Sequence, residues 1–171
     1  MGFPVELEAP VRDLERISFC QTQAVFDGQW WTMVRNPRVC LDKDDSSLKP
    51  VRTEQEWNTL RNTVGLSGLA LAGHMPIFSE FYACLRRGAG SAVDRDDTPT
   101  GFSMLAKGMN MRGMPVTDEA RVSFFKAFDI TPDEQLAVEK FYRDARPTWR
   151  EPLMNGHCVQ SALRAVMGSR P

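Results

Sequence analysis

Apolar residues recur at helical spacing through the second half of the chain and at strand-like spacing near its start. Between Val116 and Ala145 two helical stripes follow one another: Phe124, Phe125 and Phe128, then Val138, Phe141, Tyr142 and Ala145. Thr117-Asp-Glu opens the first stripe and Asp129-Ile130 interrupts it. Thr131-Pro132-Asp133-Glu134 then combines a capping hydroxyl, a proline suited to the first helical position and a Glu able to close a capping box. The pattern predicts an αα-hairpin over 117–145, its two helices at 117–128 and 132–145, with apolar surfaces facing each other.

Arg16 to Phe26 has strand character, with Ile17, Phe19, Val25 and Phe26 set among Thr and Gln. Asp27-Gly28 supplies the positive φ of a two-residue hairpin turn, and Gln29 to Arg35 carries Trp30, Trp31 and Val34 as the returning strand. Asn36-Pro37 breaks that strand, and residues 38–41 are read as a third. Thr53-Glu-Gln-Glu56 is a capping box for a helix over 53–64, with Gly65 as its stop. Pro76 begins a helix over 76–87 that buries Phe78, Phe81 and Leu85 and stops at Gly88. A weaker helix runs from Thr98 to Lys107, and Val159, Ala162, Leu163, Val166 and Met167 make a last amphipathic helix near 157–167. The fold class is therefore α+β: a small N-terminal antiparallel β-sheet (residues 16–41) followed by a mainly helical region. We read 1–171 as a single domain with a loose N-terminal arm, residues 1–10. The expected core is Phe78, Phe81, Leu85, Phe124, Phe128, Phe141, Leu163 and Val166.

Composition narrows the function without naming it. The 171 residues carry a net charge of −1, with 42% apolar and 25% charged residues. No global charge draws the chain to nucleic acid or to an anionic membrane. From residue 140 onward, Lys140, Arg143, Arg146, Arg150, Arg164 and Arg170 outweigh Asp144 and Glu151, an excess read first as a solvated face. The start of the chain lacks the basic region and apolar run of a signal peptide, and no apolar stretch reaches membrane-spanning length. The four cysteines form no C-x-x-C pair, and two histidines leave little for a zinc site. A cytoplasmic chain with free thiols, no cofactor and no metal is the expectation.

Cys158 stands at the first turn of the predicted last helix, where the helix dipole favours thiolate. With His74 as base and Asp94, Asp96 or Asp97 as orienter, it would make a cysteine hydrolase. Asn155-Gly-His-Cys-Val159 resembles the Asn-Gly-x-Asp-Cys-Gly element of ubiquitin-like-protein-processing cysteine proteases. It lacks that element's Asp before the Cys and Gly after it, and no family is assigned on it. The acidic clusters at 42–45 and 94–97 fail the calcium-loop pattern at its sixth and twelfth positions. Met104, Met109, Met111 and Met114 suit an adaptable partner surface or core filling better than copper. A helix-turn-helix reading places Asp133 and Glu134 where phosphates would lie, which argues against it. Trp30 and Trp31, read as strand neighbours, would point to opposite faces, one of them available as an anchor.

The function expected on these grounds is a non-catalytic cytoplasmic binding protein, acting as regulator, inhibitor or accessory subunit. Its expected partner is a protein, docked on Trp30 or Trp31 and on Met109, Met111 and Met114. The first alternative is a cysteine-dependent hydrolase using Cys158 with His74. The second, a nucleic-acid-binding module using Arg143, Arg146 and Arg150, is not favoured, and no membrane partner is expected.

Overall fold

The Asp27-Gly28 hairpin organises the N-terminal sheet. β2 (Thr22–Phe26) and β3 (Trp31–Arg35) pair antiparallel, with Phe26 opposite Trp31 and Gln23 opposite Val34. Asp27 builds the turn twice over. Its N–H donates to the Trp30 carbonyl at 3.0 Å, and its Oδ1 accepts from the N–H groups of Gln29 and Trp30 at 2.8 and 2.7 Å. Gly28 sits at φ +98°, which a side chain would strain.

The rest of the sheet departs from expectation. Arg16 to Phe26 is not one strand: a 3-10 turn (Leu14–Arg16) leads into a two-residue strand β1 (Ser18–Phe19), which pairs with β2 across a tight turn at Cys20-Gln21. Both turn residues lie at positive φ, 50° and 61°. Residues 38–41 are not a strand but part of helix α1 (Pro37–Lys43). Asn36 caps α1 by accepting from Arg38 N–H at 2.9 Å, and Pro37 occupies its first turn, so the expected strand break is a helix start.

Helix α2 (Glu54–Ala72) starts at the Thr53 cap as expected, then runs through Gly65 instead of stopping there. The glycines serve close packing. A Cβ on Gly65 would lie 2.8 Å from the Tyr82 carbonyl, and one on Gly68 would enter the Tyr82 ring. Helix α3 (Phe78–Arg86) therefore lies tightly against α2. It begins after Ile77, a β-branched residue at φ +68°, rather than at Pro76. The αα-hairpin is present as α4 (Asp118–Phe128) and α5 (Pro132–Asp144). Asp129 turns between them at φ +53°, and the Thr131/Glu134 capping box is complete.

Side chains of α3, α4 and α5 meet the inner sheet face in one core. Phe78, Phe81, Leu85, Phe124 and Phe128 are buried in it, together with Val25, Val34, Ile77, Ile130 and Tyr142. Phe78 packs edge-on against Phe124 and Phe81 against Tyr142. Phe141 is only partly buried, and Phe125 is exposed because its position in α4 turns away from α3. Buried polar groups tie the layers together. Glu139 on α5 accepts two N–H groups of Arg121 on α4, at 2.8 and 2.9 Å, and the N–H of Ile77 at 3.0 Å. Asp44 accepts from Arg35 at 3.0 Å and from the Tyr82 hydroxyl at 2.8 Å. Arg61 stacks on Trp57 at 3.9 Å, and its Nη1 donates to the carbonyls of Leu85 and Arg87 at the end of α3.

This computed structural model describes Gly2 and residues 10–47, 50–93, 106–109 and 114–149. The predicted helix at 157–167, with core candidates Leu163 and Val166, lies outside the described residues, as do the arm at 3–9 and almost all of the helix predicted from Thr98.

Candidate functional site

Outward-facing positions of the sheet carry several large apolar side chains. Pairing places Phe19, Phe26, Trp31 and Met33 on the sheet face opposite the core residues Val25 and Val34. Phe19 is 67% exposed, and Trp31 and Met33 are each 50% exposed. The Phe26 and Trp31 rings lie 5.2 Å apart. Trp30 is 63% exposed in the turn preceding β3. The expectation that the two indoles would take opposite faces is therefore corrected: the strand begins at Trp31, and both indoles reach solvent.

Beside this face runs a groove of about 700 Å³. Phe26 and Trp31 line one wall, the chain at 12–15 another, and the first turns of α4 a third, with Val122 and Lys126 among its residues. The Thr117 hydroxyl donates to the Asp27 carbonyl at 2.7 Å, and the Phe26 N–H donates to Ser123 Oγ at 2.9 Å. These bonds fix α4 against the hairpin. Glu15, though buried, is held in place by the Ser123 hydroxyl at 3.1 Å and by Lys126 at 3.6 Å. At the other end of the sheet, Asp129 pairs with Arg16 at 2.9 Å, and that hydrogen bond holds its carboxyl below the ordinary range.

His74 is buried behind the hairpin, at the corner after α2. Its Nε2 lies 3.4 Å from Thr32 Oγ1 and 3.6 Å from Asp27 Oδ2, so it touches β3 and the hairpin turn. The structure gives it a fastening place within the fold. Cys158 and its acidic companions Asp94, Asp96 and Asp97 lie outside the described residues. Of the cysteines that are described, Cys40 and Cys84 are buried and Cys20 is exposed. Burial pushes the Cys40 thiol well up and raises that of Cys84 as well, away from thiolate.

The other expected site residues are described only in part. Met109 is 47% exposed, Met114 is half-buried, and Met111 lies outside the described residues. Arg143 pairs with Glu80 at 2.8 Å, and Arg146 donates to the carbonyls of residues 143–145. Arg150 lies outside the described residues. Among the described residues no group of three or more His, Cys, Asp or Glu side chains is placed to hold a metal ion. None of the described helices is long and apolar enough to cross a membrane.

Comparison with known proteins supplies what these contacts leave open. A family described as viral RNA dependent RNA polymerase matches residues 1–150. The chain is 39% identical over 149 residues to the RNA-directed RNA polymerase of turnip crinkle virus, covering 82% of this chain and 19% of that protein. It is 40% identical over 158 residues to that of oat chlorotic stunt virus, covering 84% and 21%, and 41% identical over 144 residues to that of tobacco necrosis virus, strain A, covering 82% and 20%. The chain thus spans about a fifth of the length of the curated relatives it matches. No solved structure matches it.

These matches overturn the expectation of a non-catalytic regulator, inhibitor or accessory docking protein, and with it the cysteine-hydrolase alternative. The regulatory reading rested on finding no assembled chemical site, and a segment of a larger enzyme produces the same silence. The disfavour shown to nucleic acid rested on Asp133 and Glu134 at the start of the would-be recognition helix and on near-neutral net charge, and net charge says little for a chain that spans so small a share of its relatives' length.

Proposed function

The chain belongs to the viral RNA-dependent RNA polymerase family, and on that premise we propose that it works as one part of an RNA-directed RNA polymerase. In this reading it supports template-directed RNA synthesis as a folded body, and the groups that contact the reacting phosphates come from elsewhere in the polymerase. The observation that carries the reading is the family match through residues 1–150, which takes in the sheet and the helical body together.

Polymerase chemistry uses a pair of metal ions clamped by carboxylates. The described residues do not fit such a pair. Two of their buried acids are committed within the fold: Asp44 to Arg35 and Tyr82, Glu139 to Arg121 and Ile77 N–H. What this body offers is position. The Glu139–Arg121 pair joins α4 and α5 to the start of α3, and the Ser123 and Thr117 bonds fix the hairpin on α4. A body held so firmly can keep an attached reacting centre and its RNA in one geometry, and proximity of that kind lowers barriers substantially. RNA is the nucleic-acid partner this reading implies.

The test is template-directed RNA synthesis by a polymerase carrying this segment. Breaking the core with Phe124→Asp should abolish synthesis, while the isolated 171-residue chain, given template, nucleotides and Mg²⁺, should make no RNA. Undiminished synthesis by the core-broken polymerase, or synthesis by the isolated chain, would overturn the proposal.

A further inference from the structure

We propose that the groove between the hairpin and α4 is a docking site for another stretch of the same polymerase, one that presents a Lys or Arg beside an apolar anchor. This rests on the polymerase reading above and names the partner of one surface within it.

The groove has the make-up of an interface rather than of a solvated crease. Its apolar floor is formed by side chains that the fold leaves exposed although they are large: Leu14 is 43% exposed, Trp31 50% and Val122 51%. These three come from different elements, so no single amphipathic stripe accounts for them. A contiguous apolar floor with a polar rim marks an interaction surface. The Trp31 ring, backed by Phe26, is the type of group that anchors such contacts.

The rim decides the partner's chemistry. Lys126 is paired with Glu15, which leaves Asp13, Asp118 and Glu119 facing Arg12 around the opening. Asp118 and Glu119 also stand in the first turn of α4, where carboxylates are at home. A predominantly acidic rim repels phosphates and attracts Lys or Arg, which argues against RNA as occupant and for a basic polypeptide. Matched relatives extend to about five times the length of this chain, so ample polymerase lies outside it to supply the segment. A contact within one polymerase also explains why Leu14, Trp31 and Val122 are open when this chain stands by itself.

Short overlapping peptides covering the other four-fifths of the turnip crinkle virus polymerase, fluorescently labelled, are titrated with the 171-residue chain. One peptide, or neighbouring overlapping ones, with Lys or Arg next to an apolar residue should bind. Affinity should fall about ten-fold or more with Val122→Asp and with the double change Asp118→Lys/Glu119→Lys. All three residues are exposed, so Val122→Asp should melt near wild type, and the double reversal a few degrees lower because two Lys replace the carboxylates of the first turn of α4; melting curves check that both remain folded at the assay temperature. Binding by no peptide, or binding indifferent to both variants, overturns the proposal. So does labelled single-stranded RNA that competes for the groove and binds more tightly after the charge reversal. Retained RNA synthesis by a polymerase carrying Val122→Asp, alongside failed peptide binding, would sink this inference while leaving the polymerase reading intact.

Discussion

Removing the Glu139 carboxylate should cost more stability than any other single polar change among the described residues. The side chain is 3% exposed and takes three charge-assisted or backbone hydrogen bonds: Arg121 Nη1 at 2.8 Å, Arg121 Nη2 at 2.9 Å and Ile77 N at 3.0 Å. Glu139→Ala strands the Arg121 guanidinium, itself only 17% exposed, and leaves the Ile77 N–H buried without its acceptor. Breaking a buried pair in this way costs ~3–5 kcal/mol. In a chain of this length each kcal/mol lowers the melting temperature by ~2–4 °C, so the loss should be of order 10 °C. Glu139→Gln keeps an oxygen for Ile77 but loses the charge, and should fall between. Arg121→Ala should cost a similar amount, because it leaves the carboxylate buried. The Arg121→Ala/Glu139→Ala double variant should then lose less than the sum, with a coupling of ~1–3 kcal/mol. Circular-dichroism melts and urea titrations of the four variants measure this. A Glu139→Ala loss within ~0.5 kcal/mol of zero, the range of ordinary surface changes, would refute the reasoning, as would strict additivity in the double variant.

Other outcomes follow from the same contacts. Gly68→Ala, which raises helix propensity and would normally stabilise, should instead destabilise by ~1–3 kcal/mol because its Cβ enters the Tyr82 ring; a raised melting temperature would show that α2 and α3 are not so close. Phe124→Ala should cost ~3–5 kcal/mol, and Phe141→Ala clearly less because that ring is only partly buried. Burial holds the Asp44 carboxyl above its ordinary range, against the pull of Arg35 and Tyr82. Its contribution is fullest below the ordinary carboxylate pKa of ~4 and is lost as pH rises through the folded value, so Asp44→Asn should show a shallower loss of melting temperature than wild type over that window. Among the described cysteines, Cys20 should react with iodoacetamide at neutral pH well before Cys40 or Cys84; mass spectrometry of the labelled peptides reads the order.

Local chemistry explains which parts of the fold were legible from the residues. The αα-hairpin was, because Thr117, Thr131, Pro132 and Glu134 carry start signals whose partners lie within one turn. The Asp27-Gly28 hairpin was legible for the same reason, its turn being made by Asp27's own side chain. The Cys20-Gln21 turn was not, since both residues take positive φ with no Gly or Asn to announce it. Gly65 misled because a glycine that stops a helix and one that admits a neighbouring helix look alike until Tyr82 is placed beside it. Among the site residues, one exposed indole of the Trp30/Trp31 pair was expected; that both are exposed depended on where β3 begins. The groove was illegible, because Leu14, Trp31 and Val122 converge only through tertiary packing. Function was illegible for a further reason. Acidic residues are plentiful, yet among the described ones Asp44 and Glu139 pair with arginines, and no three His, Cys, Asp or Glu side chains converge to hold a metal ion.

The central claim is that this chain performs the task of the matching fifth of a viral RNA polymerase, and a segment exchange tests it most directly. The segment of the turnip crinkle virus polymerase that matches residues 1–150 is replaced by this chain, and labelled-nucleotide incorporation on an RNA template is measured. A second exchange, carrying the equivalent segment of the oat chlorotic stunt virus polymerase, serves as reference. The account predicts template-dependent synthesis by both chimeras. A chimera that folds but makes no RNA, while the oat virus segment supports synthesis, would contradict it.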